Sequence, residues 1–204
     1  MKLYYFPSPN PQKVRFGMIE LGLDCEIVDV DLSKGEHRQP PFLALNPFGR
    51  VPVLVDGDLT LWESHAILSY LGDTTGRLWP ASVAGRAIAL KWLFFLSAHI
   101  APSATDLVFN RLAVKVLGLK GDEDAIARGE KALPSVLEIP EDQLAKTKCL
   151  LGEEFSLVEC AYGPVLNAIE KAGFSLEGFP KLRDYLNAIR SRRAWQETPR
   201  LPIL

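Results

Sequence analysis

Cysteine is scarce in this chain of 204 residues, which has only three of them, Cys25, Cys149 and Cys160. They are widely spaced, odd in number and form no CxxC motif, which excludes a disulfide framework and a cysteine-based metal centre. Each lies among apolar neighbours, which is typical of a small buried side chain. We therefore expect no metal and a reducing compartment.

The chain also lacks an excess of charge and a long hydrophobic run. Its 23 Lys and Arg residues stand against 25 Asp and Glu residues, so we expect neither nucleic acid nor a membrane as a partner. The most apolar stretch, residues 87–102, contains Lys91 and His99 and is short for a bilayer, so it predicts a buried helix. The first residues are broken too early by Pro7 to be a signal peptide, and we expect a cytoplasmic protein.

Short elements alternate in the first third of the sequence. They are predicted, in chain order, as a strand over 2–6, a helix over 11–21, a strand over 25–32, a helical turn over 42–45, strands over 53–55 and 59–61, and a helix over 63–71. The first strand, helix and strand imply a right-handed crossover and a parallel pair. Asp56-Gly57-Asp58 is a typical hairpin turn between the later strands.

The sequence changes character near residue 80, after a segment rich in glycine and proline. Beyond it we find no strand pattern, and helical segments are predicted over 84–112, 122–145, 156–172 and 180–195, the second interrupted near Pro134 and Pro140. A capping box, Ser156-Leu157-Val158-Glu159, opens the third. We predict an α/β domain over 1–75, a linker over 76–84 and an all-α domain over 85–204.

The loop before the first predicted helix, Ser8-Pro9-Asn10-Pro11, has two interpretations. Asn10 followed by Pro11 suits a helix N-cap and first turn, which would leave Ser8 an ordinary loop residue. Alternatively, the free amides of the helix N-terminus favour an anion such as a thiolate, to which the Ser8 hydroxyl could donate a hydrogen bond. The residues alone leave both open.

Two further segments could bind a ligand at the same end of the predicted sheet. Pro52 enters a strand without an amide donor, as a trans proline at the strand start or through a cis Val51–Pro52 bond that turns the valine backbone towards a peptide-like ligand. Glu63 and Ser64 are either ordinary residues of a helix N-terminus or anchors for an amine and a carboxylate. Together, a thiolate site, a peptide-backbone site and an α-amino-acid site describe γ-Glu-Cys-Gly.

Two long segments carry a family resemblance. GEHRQPPFLALNPFGRVPVL (35–54) and DGDLTLWESHAILSYL (56–71) closely resemble the phi- and theta-like pattern of the glutathione transferase family, and the likeness extends over essentially the whole chain. It implies a thioredoxin-like α/β domain followed by an all-helical bundle, and a homodimer. It also implies glutathione as co-substrate, no other cofactor, and a hydrophobic electrophilic small molecule as second substrate.

The resemblance also implies roles for individual residues. Ser8 matches the serine that stabilises the glutathione thiolate, and Asn10 lies where beta-like members carry a cysteine and nu-like members an asparagine. The positions that match glutathione-binding residues are His37 and Arg38 for the glycyl carboxylate, Val51 and Pro52 for the peptide backbone, and Glu63 and Ser64 for the γ-glutamyl group. Arg50 replaces the usual glutamine or lysine with a charge that suits a carboxylate, and His65 replaces a common arginine or asparagine.

The resemblance predicts a transferase that directs the glutathione thiolate at an electrophile or a peroxide. Two alternatives remain: a glutathione-dependent disulfide reductase, which the nu-like Asn10 favours, and a non-catalytic binding protein of the same fold. The signature SSCxWRVR of zeta-like members is absent, which argues against a maleylacetoacetate isomerase.

Overall fold

The computed structural model describes residues 1–199, apart from the side chain of Val116. The first 62 residues contain all four strands of its sheet. The strands are β1 (Lys2–Tyr5), β2 (Glu26–Asp29), β3 (Val53–Asp56) and β4 (Leu59–Trp62), in the spatial order β2-β1-β3-β4. β1 and β2 are parallel, and the other neighbours are antiparallel. The predicted parallel pair and the hairpin at Gly57, whose φ is 58°, are both confirmed.

The helices that connect or directly follow these strands are α1 (Pro9–Glu20), α2 (Pro40–Leu43) and α3 (Ser64–Thr75), with a 3-10 turn at Glu36–Arg38. The later helices are α4 (Val83–Phe95), α5 (Ala101–Val108), α6 (Val114–Leu117), α7 (Glu123–Leu144), α8 (Leu157–Lys171), α9 (Pro180–Arg190) and α10 (Arg193–Glu197). All four strands precede α3, so the predicted combination of an α/β part and an all-α part is confirmed. The capping box at Ser156 is also present.

Helix α1 packs against both α3 and α8. A Cβ atom added to Gly17 would lie 2.7 Å from Leu68 Cδ2 on α3 and 3.2 Å from Leu157 Cδ2 on α8, so a larger residue would force these leucine side chains to shift. One apolar core runs from the sheet into the helical part through these contacts. The sheet and the helices therefore share one core.

Several predicted helix ends are wrong for reasons of packing. α3 continues past Gly72 to Thr75, because Gly72 serves as a packing site for Trp79, whose Cγ would lie 2.5 Å from an added Cβ atom. α7 runs without a break through Pro134 and Pro140. The burial of apolar side chains along α7 offsets the roughly 3 kcal/mol that an interior proline costs.

The long apolar helix also differs from the prediction. α4, α5 and α6 follow one another without a break, joined by π-helical turns at Leu96–Ile100 and Phe109–Ala113. In a regular α-helix the ring of Pro102 would clash with the carbonyl of Ala98, which lies in the first of these turns. Within residues 1–199, Val83–Ala113 is the one helical stretch long and apolar enough to span a bilayer, a test that core helices of soluble proteins also pass. Only 33% of its most apolar window is buried, so the predicted buried helix is both longer and more exposed than expected.

Candidate active site

Three loops meet at one edge of the sheet. β1 ends at Tyr5, and because β3 is antiparallel to β1, with Tyr4 opposite Val53, β3 begins at that same edge. β4 ends there as well, since Trp62 pairs with Val53. The strand register therefore brings together the segments after β1, before β3 and after β4, which carry most of the candidate residues. This convergence was expected from the sequence and depends on the antiparallel placement of β3.

Ser8 lies at the start of α1, where the sequence left open either a helix cap at Asn10 or an anion site with Ser8 as a donor. Ser8 itself is the N-cap residue, with extended backbone (φ −111°, ψ 165°), so the alternative in which Asn10 caps the helix is wrong. The buried Gln12 donates from Nε2 to the carbonyl of Pro7 at 3.2 Å and holds this turn in place. The Ser8 hydroxyl makes no capping hydrogen bond and is half-buried, whereas Asn10 is exposed in the first turn.

Val51 and Pro52 lie just before β3 and are joined by a cis peptide bond, one of the two alternatives the sequence allowed. Val51 is half-buried and lies outside the strand ladders, and its backbone groups make no hydrogen bond within residues 1–199. The preceding loop is fixed by the buried Asn46, whose Nδ2 donates to the Arg50 carbonyl at 2.7 Å and whose Oδ1 accepts from the Phe48 amide at 3.0 Å. This leaves a donor and an acceptor at Val51 for an extended ligand.

Arg38 and Arg50 place two positive charges near His37 beside this loop. Burial lowers the pKa of His37, and the nearby charges of Arg38 and Arg50 lower it further. His37 Nδ1 is buried with no hydrogen-bond partner in residues 1–199. The Arg50 guanidinium lies over the Phe48 ring, 5.3 Å from its centroid. Mutual repulsion among these groups would be relieved by an anion, so the cluster is suited to a carboxylate.

Glu63 and Ser64 form the third segment. Glu63 is exposed and precedes α3 with φ 73° and ψ 112°, a backbone conformation that is rare for a residue with a side chain. Ser64 is the first residue of α3 and is 6% exposed. The amides at this terminus have no partner within the helix, so they can bind an anion, while the Glu63 carboxylate can bind an amine.

Sequence reasoning missed two residues at the site. Asn46 orders the loop that precedes Val51, and its position in Asn46-Pro47-Phe48-Gly49 was a usable signal because asparagine side chains often close such turns. Lys13 is 2% exposed, and its Nζ lies 3.2 Å from His65 Nε2 on α3. Its signal was its place four residues before Gly17, on the same face of α1.

The cysteines supply no obvious nucleophile. Cys160 is buried as expected, but Cys25 and Cys149 are only half-buried. Burial raises the pKa of all three thiols, that of Cys149 to about 11, so each stays protonated at neutral pH.

A thioredoxin-like domain with a free hydroxyl at the first helix terminus, joined to an all-helical domain, defines a class of thiol-handling proteins. Family models agree: the glutathione S-transferase N-terminal domain matches residues 1–73, and the C-terminal domain matches residues 123–188. Among curated proteins, the chain is 39% identical to glutathione S-transferase 3 of Zea mays over 97% of this chain and 92% of the relative. It is 30% identical to the disulfide-bond oxidoreductase YfcG of Escherichia coli over 94% and 91%.

Solved structures show the same likeness. Glutathione transferase F7 from Populus trichocarpa superposes with a TM-score of 0.89 at 33% identity, over 97% of this chain and 96% of that one. A glutathione transferase from Burkholderia graminis, solved with two glutathione molecules bound per subunit, has a TM-score of 0.88 at 30% identity, over 97% and 86%. The chain belongs to the glutathione S-transferase family and is an enzyme of that class.

Proposed function

We propose that this transferase ionises the thiol of glutathione with Ser8 and directs the thiolate at a hydrophobic electrophilic small molecule or a peroxide. The proposal depends on the Ser8 hydroxyl, which lies at the N-terminus of α1 and makes no capping hydrogen bond. Such a hydroxyl remains available as a donor to an anion at the same terminus.

The remainder of the tripeptide has a complementary place along the same edge. The γ-glutamyl carboxylate binds at Ser64 and its amine at Glu63, and the cysteinyl backbone pairs with Val51 beside Pro52. The glycyl carboxylate binds His37, Arg38 and Arg50, where burial and then the charges of the two arginines lower the pKa of the histidine. Each assignment matches a charge or a hydrogen-bonding group of glutathione with its opposite in the protein.

The energetics are sufficient for this chemistry. A free thiol has a pKa near ~8.5, so lowering it by about two units requires ~2.7 kcal/mol of preferential binding of the anion. A hydrogen bond to a charged group contributes about 1.5–3 kcal/mol and a helix terminus about 0.3–1 kcal/mol. Ser8 and the amides of α1 together reach the required amount. The thiolate then displaces a leaving group from carbon, or two glutathiones become a disulfide as a peroxide is reduced to alcohol and water.

Ser8→Ala and Asn10→Ala test the catalytic assignment. Turnover should be measured with aryl halides, isothiocyanates, hydroperoxides and glutathione mixed disulfides, and the thiol pKa of bound glutathione by the ultraviolet absorbance of its thiolate. Ser8→Ala should lower kcat/KM by roughly tenfold to a hundredfold, in line with ~1.5–3 kcal/mol, and raise the bound thiol pKa. Full activity in both variants would refute the assignment, and a wild-type protein that binds glutathione but turns over nothing would favour a non-catalytic binding role.

Disulfide reduction is the second candidate, and the exposure of Asn10 in the first turn of α1 favours it. The relationship to YfcG supports it as well. In this reaction a glutathione thiolate attacks a mixed disulfide, forming glutathione disulfide and releasing the other thiol. If mixed disulfides are the best substrates in the panel and Asn10→Ala reduces that activity more than conjugation, reduction is the principal activity.

We also propose that the protein is cytoplasmic and forms a homodimer. The dimer is supported by an uncovered apolar surface on α4. Val83, Leu90 and Phe94 lie on one face of α4 and are 77%, 36% and 65% exposed, and Phe48 near the active site is 65% exposed. A patch of this kind is rarely left open in a soluble protein, and a second copy would cover it. Sedimentation should give a dimer for the wild type and a monomer for Phe94→Glu. A monomeric wild type at micromolar concentration would contradict the proposal.

A further inference from the structure

A buried lysine and a histidine form a pair between α1 and α3 that the chemistry of Ser8 does not use. Lys13 is 2% exposed and its Nζ lies 3.2 Å from Nε2 of the half-buried His65. Gly17, one turn further along α1, faces α3, and a Cβ atom added to it would lie 2.7 Å from Leu68 Cδ2. Lys13 is therefore buried where α1 packs closely against α3.

The charge of Lys13 is only partly compensated by negative charge nearby. Burial lowers the pKa of Lys13 to about 7, and the Glu63 carboxylate opposes this only in part. Burial and the charge of Lys13 hold the pKa of His65 far below its usual range, so the imidazole is neutral. Because Glu63 is exposed, water weakens its field at the ammonium. Near neutral pH, Lys13 is therefore a cation that the ligand-free protein stabilises poorly.

The charged residues of the other helices that pack on α1 have partners other than Lys13. Arg192, just before α10, binds Glu20 at the far end of α1. Glu159 of α8 is held by Ser156 and Tyr185. Within residues 1–199, the ionisable groups that act on Lys13 are thus Glu63 and His65.

The position of the pair relates it to the start of α3. His65 directly follows Ser64, whose helix terminus can hold a carboxylate, and Glu63 directly precedes it. An anion bound at this terminus lies next to the helix residue that contacts Lys13, and both Ser64 and Lys13 are buried, at 6% and 2% exposure. Coulomb interactions are strong there, so the anion would supply the charge that the lysine lacks.

We propose that Lys13 is a positioning residue for the substrate, a buried cation that completes its charge pairing only when the α-carboxylate of a γ-glutamyl group binds at Ser64. This inference rests on the proposed function. Binding is then coupled to protonation of the Lys13–His65 pair: the ligand raises the proton affinity of the lysine, so complex formation takes up a proton near pH 7–8. By the same linkage, affinity is greatest while the free protein is already protonated and falls as pH rises through its pKa.

S-methylglutathione is the appropriate probe because it has no thiol whose ionisation could obscure the effect. Calorimetry in two buffers with different ionisation enthalpies should show proton uptake by the wild type near neutral pH. Its Kd should rise on the order of tenfold between about pH 6.5 and about pH 8.5. His37 is a second group that can take up a proton when a carboxylate binds beside it, but every variant retains it, so its share cancels when a variant is compared with the wild type.

Lys13→Met should bind S-methylglutathione at least several-fold more weakly near pH 6.5 and lose both its share of the proton uptake and the pH dependence of Kd. Lys13→Arg should recover affinity while remaining insensitive to pH, because arginine stays charged. Lys131→Met, an exposed lysine on α7, is the matched control and should behave as the wild type. Circular dichroism checks that each variant is folded.

The outcomes distinguish failure of the Lys13 coupling from failure of the proposed glutathione site. If the wild type does not bind S-methylglutathione, the proposed glutathione site is wrong. If it binds, but Lys13→Met and Lys13→Arg both retain the affinity, proton uptake and pH profile of the wild type, the coupling to Lys13 is refuted while the glutathione site stands.

Discussion

Lys13→Met should make the ligand-free protein more stable, although the residue removed lies beside the active site. The substitution keeps an unbranched apolar stem in a site that is 2% exposed and removes the buried charge. The pKa of Lys13 falls from 10.5 to about 7 on folding. At ~1.36 kcal/mol per pH unit, this difference of about 3.5 units corresponds to a cost of about 5 kcal/mol while the lysine is charged in both states. The lost contact with His65 will offset part of it.

The pH dependence has a defined sign. Below about pH 7, Lys13 is protonated in the folded and the unfolded chain, and the folded state bears the full cost. As pH rises from 7 towards 10.5, the folded protein loses the proton first, so the unfolded state binds more protons and the free energy of unfolding contributed by this group increases. The advantage of Lys13→Met over the wild type should therefore be greatest near pH 6 and shrink by up to ~1.4 kcal/mol per pH unit above pH 7.

Urea denaturation followed by tryptophan fluorescence, at several values between about pH 6 and about pH 9, measures this difference. Lys131→Met is again the control, because it makes the same chemical change on an exposed face of α7 and should show no such trend. A Lys13→Met protein that is less stable than the wild type near pH 6, or a difference that does not change with pH, would refute the reasoning. Stability gained and ligand affinity lost in one variant is the expected combination for a functional buried charge.

Two predictions concern packing and helix capping. Gly72→Ala should lower the free energy of unfolding by about 1–3 kcal/mol, because its new Cβ would lie 2.5 Å from Trp79 Cγ, whereas Gly178→Ala, with no atom within 4 Å, should cost far less. Urea denaturation compares them, and equal losses would contradict the packing argument. Ser156→Ala should cost about 2 kcal/mol because it removes a buried capping box, and Ser82→Ala at the exposed cap of α4 about 1 kcal/mol or less. Thermal unfolding in which Ser82→Ala is the more damaging change would overturn this ranking.

Local patterns in the sequence were enough for much of the architecture. The strand–helix–strand order predicts the parallel pair β1–β2, and Asp56-Gly57-Asp58 predicts the hairpin, because a tight turn and a short crossover each allow few geometries. The capping box at Ser156 is likewise a local signal, since both of its hydrogen bonds lie within four residues. The family resemblance added the positions of the candidate ligand-binding residues.

What the tertiary structure alone decided depends on contacts between residues far apart in the chain. The uninterrupted course of α7 through Pro140 requires neighbours that compensate for a lost hydrogen bond, and the role of Gly72 becomes clear only beside Trp79. The burial of Lys13 is the clearest case: a lysine is normally exposed, and this one is enclosed beside His65 because other helices pack on α1. Sequence periodicity describes one helix at a time, whereas solvation of a charge depends on everything packed around it.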